Sequence, residues 1–296
     1  MVVRSPAKLN LHLTVGPLRA DGYHELTTVF SAVSLHDELV VERADALTLT
    51  LTGEGAGELP LGDDNLAVRA VRLLAQATGC DPAVSLTLDK GIPVAGGCAG
   101  GSSDAAAALV ACDALWGTGL SRDELAALAI RLGSDVPFLL HGGTALATGR
   151  GEHLTTVLGE GSQSWVLAVA EGGLSTPAVY GELDRQRATG PVHVAGDPAD
   201  LLQALRGGDP VAVGRALSND LQAAALALRP ALRRVLDAGR ALGALGALVT
   251  GSGPTVALLA RDAQTADGLA AALAAEGVCR TVRVAEGPVA GARVVA

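Results

Sequence analysis

Glycine and serine concentrate in "PVAGGCAGGSSD", residues 93–104, directly ahead of an alanine-rich run. Glycine has no Cβ, so such a backbone can turn sharply and come close to a ligand. Exposed N–H groups at the start of a helix attract anions, because the helix dipole lies behind them. The stretch therefore predicts a cradle for a polyphosphate, to which Ser102 and Ser103 would add hydroxyls. A flexible loop with an ordinary serine N-cap is the alternative.

Two familiar phosphate motifs do not fit this stretch. No lysine follows the glycines, so the G-x-x-x-x-G-K-[ST] loop is absent. The spacing G-x-G-x-x-G is also missing, which argues against a dinucleotide site and a dinucleotide oxidoreductase. The predicted phosphate site is therefore of another kind.

Lysine is rare: among 22 basic residues only Lys8 and Lys90 are lysines. Lys8 lies in "AKLNLHLTV", whose alternation predicts a strand with Lys8, Asn10 and His12 on one face. Such a face could line a cleft or simply meet solvent. Lys90, just before the glycine loop, is either a solvated strand end or a phosphate contact.

The composition indicates a folded, two-domain protein. The chain has 296 residues, of which 49% are hydrophobic and 18% charged. A net charge of −9 argues against nucleic acid as a partner. The four cysteines form no CxxC pair, and His36, His141, His153 and His193 lack ligand spacing, so no metal cage is predicted. No apolar stretch reaches the length of a membrane span, so we expect a cytoplasmic protein.

Strand and helix patterns alternate without a regular βαβ rhythm, which favours an α+β fold. Five strand patterns precede the glycine loop, and a helix is predicted from about Ser103 to Trp116. Another helix follows, with Ser121 as N-cap and Glu124 completing a capping box. One long helix is predicted at 210–227. The domain boundary is predicted near 150–162, which gives domains 1–158 and 159–296.

Three segments carry a resemblance to a known family. "PVAGGCAGGSSDAAAAL" resembles the glycine-serine loop of the superfamily of galactokinase, homoserine kinase, mevalonate kinase and phosphomevalonate kinase. "VTGSGPTVALL" (249–259) is similar to the third motif of that superfamily. "SPAKLNLHLTVGPLRADGYHEL" looks like the opening of its branch that acts on 4-diphosphocytidyl-2-C-methyl-D-erythritol. Ala95, Cys98 and Ala99 stand where the family often has Gly, Leu and Gly, and all three are small.

The resemblance implies an N-terminal ATP-binding domain like domain 2 of ribosomal protein S5 and a ferredoxin-like C-terminal domain. It implies ATP-dependent phosphorylation of the substrate's 2-hydroxyl in the non-mevalonate isoprenoid pathway, with Mg²⁺ arriving on ATP. Another kinase of the superfamily, acting on a sugar, homoserine or mevalonate, is the alternative, as is a nucleotide-binding protein without catalysis. A small-molecule substrate, no membrane or nucleic-acid partner, and a monomer or weak homodimer are expected.

The resemblance also assigns the site residues. Lys8 and Asp135 would be catalytic, with Asp135 taking the proton from the hydroxyl, although Asp135 could instead N-cap the segment that follows it. The residues expected at the nucleotide are Pro93, Val94, Ala95, Gly96, Gly97, Cys98, Ala99, Gly100, Gly101, Ser102, Ser103, Asn65 and Asp104. Those expected at the substrate are Asn10, Tyr23, His24, Phe30, Thr176, Pro177 and Tyr180. Tyr23 and Tyr180 would stack on the cytosine, and His24 would contact its edge. The turn at 251–254 could support the glycine loop, contact a diphosphate, or be a tight β-turn alone.

Overall fold

The computed structural model describes residues 1–192 and 194–296, so the prediction for His193 lies outside the described residues. The described residues form twelve strands and ten α-helices. The strands are β1 (Val2–Leu18), β2 (His24–Arg43), β3 (Thr48–Gly53), β4 (Val84–Lys90), β5 (Thr144–Gly149), β6 (His153–Thr156), β7 (Gln163–Val169), β8 (Ser218–Asn219), β9 (Gly246–Val249), β10 (Val256–Ala260), β11 (Thr281–Gly287) and β12 (Arg293–Val294). The helices are α1 (Leu66–Thr78), α2 (Gly100–Trp116), α3 (Arg122–Ala129), α4 (Val136–His141), α5 (Thr176–Thr189), α6 (Pro198–Gly207), α7 (Pro210–Ala216), α8 (Gln222–Leu228), α9 (Ala231–Ala241) and α10 (Ala263–Ala275).

The larger sheet is built around the antiparallel pair β1 and β2. Its main path runs β12-β1-β2-β4-β3, with β5 on β2, β6 on β5 and β8 on β1. Helices α1, α2 and α4 pack with this sheet into one core. Helix α2 is enclosed by its neighbours, and its residues from Ser103 to Cys112 are buried. The small alanine side chains allow that close packing on every side.

The smaller sheet has the order β11-β7-β10-β9 and is antiparallel throughout. Helices separate β7 from β9, and α10 separates β10 from β11, so the unit is a β-α-β-β-α-β arrangement of ferredoxin-like type. Helices α9 and α10 bury their apolar residues against it. The predicted α+β fold with a ferredoxin-like C-terminal domain is confirmed. None of the helices described combines the length and apolar content that crossing a bilayer requires.

Local predictions from the sequence had different outcomes. The capping box of Ser121 and Glu124 is present. Helix α2 begins at Gly100 and not at Ser103, because Ala99 takes the left-handed N-cap position. The predicted helix at 210–227 is wrong: a change to extended backbone at Leu217 separates α7 from α8, and the two residues of β8 pair with β1.

The region 150–162, where the domain boundary is predicted, contains β6, which pairs with β5 as a hairpin. The split at 158/159 stays a prediction. Two short strands from the second half of the chain, β8 and β12, pair with β1 in the larger sheet. The two halves therefore share backbone hydrogen bonds, and both contribute to the site described next.

Candidate active site

A cavity of about 1060 Å³ is lined by residues from both halves of the chain. Of the residues predicted at the site, all line this cavity except Cys98, Ser102 and Ser103. The predicted catalytic pair lies between the glycine loop and a cluster of aromatic rings. We call the part formed by residues 92–101 the loop end, and the part formed by Tyr23, His24 and Tyr180 the ring end.

Lys8 and Asp135 face each other in the cavity, with Nζ and Oδ2 separated by 3.8 Å. The Lys8 side chain is 7% exposed and that of Asp135 is 30% exposed. Asp135 sits at the N-cap position of α4 but its side chain makes no capping hydrogen bond. The capping alternative is therefore not realised, and the carboxylate is free to act on a ligand.

Asn10 orients the Lys8 ammonium. Lys8 Nζ donates to Asn10 Oδ1 at 2.5 Å, and Asn10 Nδ2 donates to Thr28 Oγ1 at 2.9 Å. The ammonium also lies 5.1 Å from the centre of the Phe30 ring, within cation–π range. Phe30 in turn packs on Phe138 at 5.0 Å between ring centres. The position of Lys8 is thus fixed from several sides.

His12 does not share the face of Lys8 and Asn10, contrary to the alternation of the strand. A register shift between Asn10 and His12 interrupts the pairing of β1 with β2. A bulge of this kind reverses which side chains reach the cavity, and Leu13 lines it instead. Burial lowers the pKa of His12, opposed by the charges of Asp220 and Asp197.

The turn at 250–255 supports the glycine loop. Thr255 N–H donates to the Gly96 carbonyl at 3.2 Å, and Thr250 Oγ1 accepts from Asn10 N–H at 3.0 Å. A Cβ added to Gly97, whose φ is +80°, would lie 2.7 Å from the Thr250 carbonyl oxygen. Only glycine fits that contact. Gly251 and Ser252 of the same turn also line the cavity.

Ala95 and Ala99 have positive φ values of 53° and 60°. These are two of the positions where the resembled family often has glycine. Alanine in this region costs roughly 1–2 kcal/mol per residue. The substitutions leave the N–H groups accessible but store strain in the loop.

The structure corrects the predictions for three side chains of the loop. Ser103 is fully buried, and its hydroxyl donates to the Pro6 carbonyl at 3.0 Å. Cys98 packs into the core, where burial raises its pKa to about 11. Ser102 is half-buried and does not line the cavity. These side chains add no hydroxyl or thiol to the cradle, so any contribution there comes from their backbone.

The ring end differs from the predicted sandwich. His24 stacks on Tyr180, with ring centres 5.3 Å apart. Its Nδ1 lies 3.2 Å from the Gly16 carbonyl oxygen and its Nε2 lies 3.2 Å from Asp184 Oδ2. Both nitrogens therefore have protein partners, and a contact of His24 with the edge of a base stays a prediction.

Tyr23 is 55% exposed, and the Arg150 guanidinium lies 4.9 Å from its ring centre. Thr176 and Pro177 begin α5, and the Thr176 hydroxyl lies 2.9 Å from that of Ser252. Burial raises the pKa of Tyr180, and the charge of Asp135 raises it further. The phenol of Tyr180 thus stays neutral. Because the charge of Asp135 affects its pKa, the ring end lies near the catalytic pair.

Asn65 and Asp104 line the cavity but already have structural partners. The Asn65 side chain caps α1 by accepting from Ala67 N–H at 2.9 Å and donates to the Pro60 carbonyl at 3.0 Å. Asp104 Oδ2 accepts from Lys90 Nζ at 2.6 Å, whereas its Oδ1 is buried with no partner among the described residues. Burial raises the pKa of Asp104 well above its ordinary value; the Lys90 charge opposes this shift and Asp37 adds to it.

Sequence reasoning missed Arg131, Arg150 and Asp184, which also line the cavity. Asp184 follows Tyr180 by four residues on α5, a spacing that places both on one helix face and could have revealed it. Arg150 lies in the region of the predicted domain boundary, where no motif marks it. In the described part of the chain, no three His, Cys, Asp or Glu side chains converge as metal ligands.

Comparison with known proteins defines the class first. Residues 65–143 match the family described as "GHMP kinases N terminal domain", and residues 201–279 match "GHMP kinases C terminal". A homoserine kinase from Cytophaga hutchinsonii has the same fold, with a TM-score of 0.78 at 19% identity over 100% of this chain and 97% of that chain.

Closer relatives narrow the class. A protein of Salinispora tropica named 4-diphosphocytidyl-2-C-methyl-D-erythritol kinase is 62% identical over 99% of this chain and 93% of its own. A crystal structure of a 4-(cytidine 5'-diphospho)-2C-methyl-D-erythritol kinase is similar with a TM-score of 0.78, at 37% identity over 97% of this chain and 98% of that one. The chain therefore belongs to the GHMP kinase family and, within it, to the 4-diphosphocytidyl-2-C-methyl-D-erythritol kinases. It is an ATP-dependent small-molecule kinase.

Proposed function

We propose that the protein transfers the γ-phosphoryl group of ATP to the 2-hydroxyl of 4-diphosphocytidyl-2-C-methyl-D-erythritol, in the non-mevalonate isoprenoid pathway. The observation that carries the proposal is the Lys8–Asp135 pair, 3.8 Å apart between the loop end and the ring end of one cavity. Relatives that are 57% to 62% identical over nearly the whole chain bear the corresponding name.

Asp135 accepts the proton of the attacking hydroxyl in this proposal, while the oxygen–phosphorus bond to ADP breaks and a new one forms to the substrate. The Lys8 ammonium faces this carboxylate and neutralises charge on the transferring group. Phosphoryl transfer depends mainly on positioning and charge stabilisation, which this arrangement supplies. The N–H groups of the loop end bind the ATP phosphates.

The proposal assigns the cytidine group to the ring end. Tyr23 is exposed enough to stack on a base, and the ring of Tyr180 lines the same cavity. Arg150 and Lys8 bring positive charge to the same cavity, which suits a substrate that carries a diphosphate. A sugar, homoserine or mevalonate would leave these rings without a partner.

The residues present also fit Mg²⁺ bound to the nucleotide. Mg²⁺ in kinases keeps several waters and phosphate oxygens and needs only one or two carboxylates. Asp104 lines the cavity and has one oxygen without a hydrogen-bond partner in the described residues. The ion would neutralise phosphate charge. Ser103 does not offer its hydroxyl to such an ion, because that hydroxyl donates to the Pro6 carbonyl.

The test is to incubate the purified protein with ATP, Mg²⁺ and a panel of alcohols, and to follow the release of ADP. The panel holds the cytidine-diphospho substrate, galactose, homoserine and mevalonate. Release with the cytidine substrate alone, and a product phosphorylated at the 2-position by NMR, is the expected result. Release with a different alcohol only would refute the assignment of the ring end.

Matched variants control for contaminating kinases. Asp135→Asn should lose turnover, whereas Asp237→Asn should keep it, because Asp237 lies on the exposed side of α9 and pairs with Arg240. Equal activity of the two variants would contradict the role of Asp135. A cytoplasmic location and a monomeric or weakly dimeric state remain proposals, which fractionation and sedimentation would test.

A further inference from the structure

Three buried charged side chains, Asp37, Lys90 and Asp104, form a cluster beside the glycine loop that the proposed transfer step does not use. Lys90 Nζ donates to Asp37 Oδ2 and, at 2.6 Å, to Asp104 Oδ2. The three side chains are at most 4% exposed. Lys90 is therefore not a solvated strand end, and its ammonium is already bound by two carboxylates.

The cluster connects the two ends of the glycine loop. At the entry, Asp37 Oδ1 accepts from the N–H groups of Gly91 at 2.7 Å and Ile92 at 2.9 Å. At the exit, Asp104 lies in the first turns of α2. Lys90 bridges the carboxylates at these two points, and a Cβ on Gly100 would lie 3.4 Å from its Nζ. One ammonium thus ties the beginning of the loop to its end.

A buried ion cluster is weak evidence for stability, because desolvating charges costs about as much as their attraction returns. Its better-attested use is to select one arrangement among several. The glycine loop needs such selection: between the two anchored ends it contains glycines, with their many allowed conformations, and two alanines held at positive φ.

We propose that Asp37 and Lys90 are positioning residues, which hold the glycine loop in the shape that binds the nucleotide phosphates through their link to Asp104. The inference rests on the proposed function, in which the loop binds ATP. Asp37 and Lys90 would then affect the affinity for the nucleotide. They would not affect recognition of the cytidine group, because the cluster lies at the loop end of the cavity.

Two variants test the proposal. Asp37→Asn keeps the shape and an oxygen for Gly91 and Ile92 but removes the charge that holds Lys90. The combination of Asp37→Asn, Lys90→Met and Asp104→Asn removes all three charges together, so that no uncompensated charge is buried and the fold is retained. Thermal melting checks folding, and calorimetry measures the Kd for ADP. Mg²⁺ is left out, so that the loss of the Asp104 oxygen proposed to bind this ion does not affect the measured Kd.

For both variants we expect the Kd for ADP to rise about tenfold or more, because the N–H groups of a displaced loop no longer align with the phosphates. Displacements of about 1 Å can lower a reaction rate about 100-fold. The Kd for the cytidine substrate should change less than threefold. Wild-type ADP affinity in the folded triple variant would overturn the proposal. ADP binding is measured directly, so a failure of the proposed substrate assignment would leave this test intact.

Asp220→Asn is the matched control. Asp220 is equally buried and likewise accepts from two backbone N–H groups, those of Val15 at 2.9 Å and Ala195, and from a cation, Arg187, at 3.3 Å. None of these three partners belongs to the glycine loop. We expect it to lose stability while the Kd for ADP stays within threefold, and an equal rise in that Kd would show that Asp37→Asn acts through general loosening.

Discussion

The two ends of the cavity recognise their ligands by opposite means. The loop end offers mainly backbone: four glycines and two alanines line the cavity beside Ile92, Pro93 and Val94, and a turn and buried charges hold the segment from outside. The ring end is made of side chains, with His24 stacked on Tyr180 and Arg150 over Tyr23. A polyphosphate carries spread charge that N–H dipoles match, whereas a base needs flat surfaces.

This difference predicts which variants change which ligand. A change at the loop end should alter nucleotide affinity, a change at the ring end should alter affinity for the cytidine substrate, and a change between them should alter turnover. Measuring both KM values and kcat for every variant tests that separation directly.

The largest effect is expected between the two ends. Asp135→Asn and Lys8→Met should each lower kcat by about 10²–10⁴, the range that general acid–base catalysis contributes, with both KM values within a few-fold of the original. Steady-state kinetics with each substrate varied in turn measures this. If either variant instead kept kcat and raised one KM, that residue would belong to one end of the cavity and not to the chemistry.

Gly97→Ala should have the next largest effect. The added Cβ would meet the Thr250 carbonyl oxygen at 2.7 Å and the Gly253 carbonyl oxygen at 3.0 Å, both rigid backbone atoms. The loop must then move, and we expect the KM for ATP to rise about tenfold or more. The KM for the cytidine substrate should stay within threefold.

Gly268→Ala is the control for this change. Gly268 lies in α10, where a Cβ would meet nothing within 4 Å, so alanine should stabilise the helix by roughly 0.5–1 kcal/mol. The KM for ATP should not change. A rise of both KM values in Gly97→Ala would mean that the two ends are mechanically coupled.

At the ring end, Tyr180→Ala should raise the KM for the cytidine substrate by roughly 5- to 150-fold, since stacking of a base on an aromatic ring contributes about 1–3 kcal/mol. Removing the ring also leaves His24 without its stacking partner. Tyr180→Phe keeps the ring and should stay within threefold of the original. If Phe were as harmful as Ala, the hydroxyl and not the ring face would carry recognition.

The same contrast explains what could be predicted from the sequence. The loop end is one continuous segment whose glycines predict a phosphate cradle. Local patterns or the family resemblance also predict its position, the α+β fold and the pairing of Lys8 with Asp135. The ring end joins three distant segments: the β1–β2 turn, Arg150 and α5. Contacts such as Nε2 of His24 with Asp184 span 160 residues, and no local pattern encodes them.

Backbone irregularity accounts for the other differences. The register shift beside Asn10 turns His12 away from the cavity. Extended backbone at Leu217 and in β8 breaks a long helical pattern into two helices. Lys90 illustrates a further limit. Its rarity marked it as important, but the burial that binds it to Asp37 and Asp104 depends on tertiary packing.

The smallest expected effect concerns the strain within the loop end. Ala99 holds a φ of +60° as the N-cap of α2, a conformation that glycine adopts without the steric cost paid by alanine. Ala99→Gly should therefore raise the free energy of unfolding by up to about 1 kcal/mol, part of the gain being lost to the greater freedom of glycine in the unfolded chain. Chemical denaturation measures this.

Ala271→Gly is the control, since Ala271 lies on the exposed side of α10 in an ordinary helical conformation. This change should lower the free energy of unfolding by roughly 1 kcal/mol. If Ala99→Gly raises the free energy of unfolding and Ala271→Gly lowers it, the difference reports the backbone strain at Ala99. If Ala99→Gly raised stability but weakened ADP binding, the strained alanine would help to preorganise the cradle, and the loop end would depend on a side chain after all. If both stability and ADP affinity rose, the alanine would be a tolerated substitution in a site that only backbone defines.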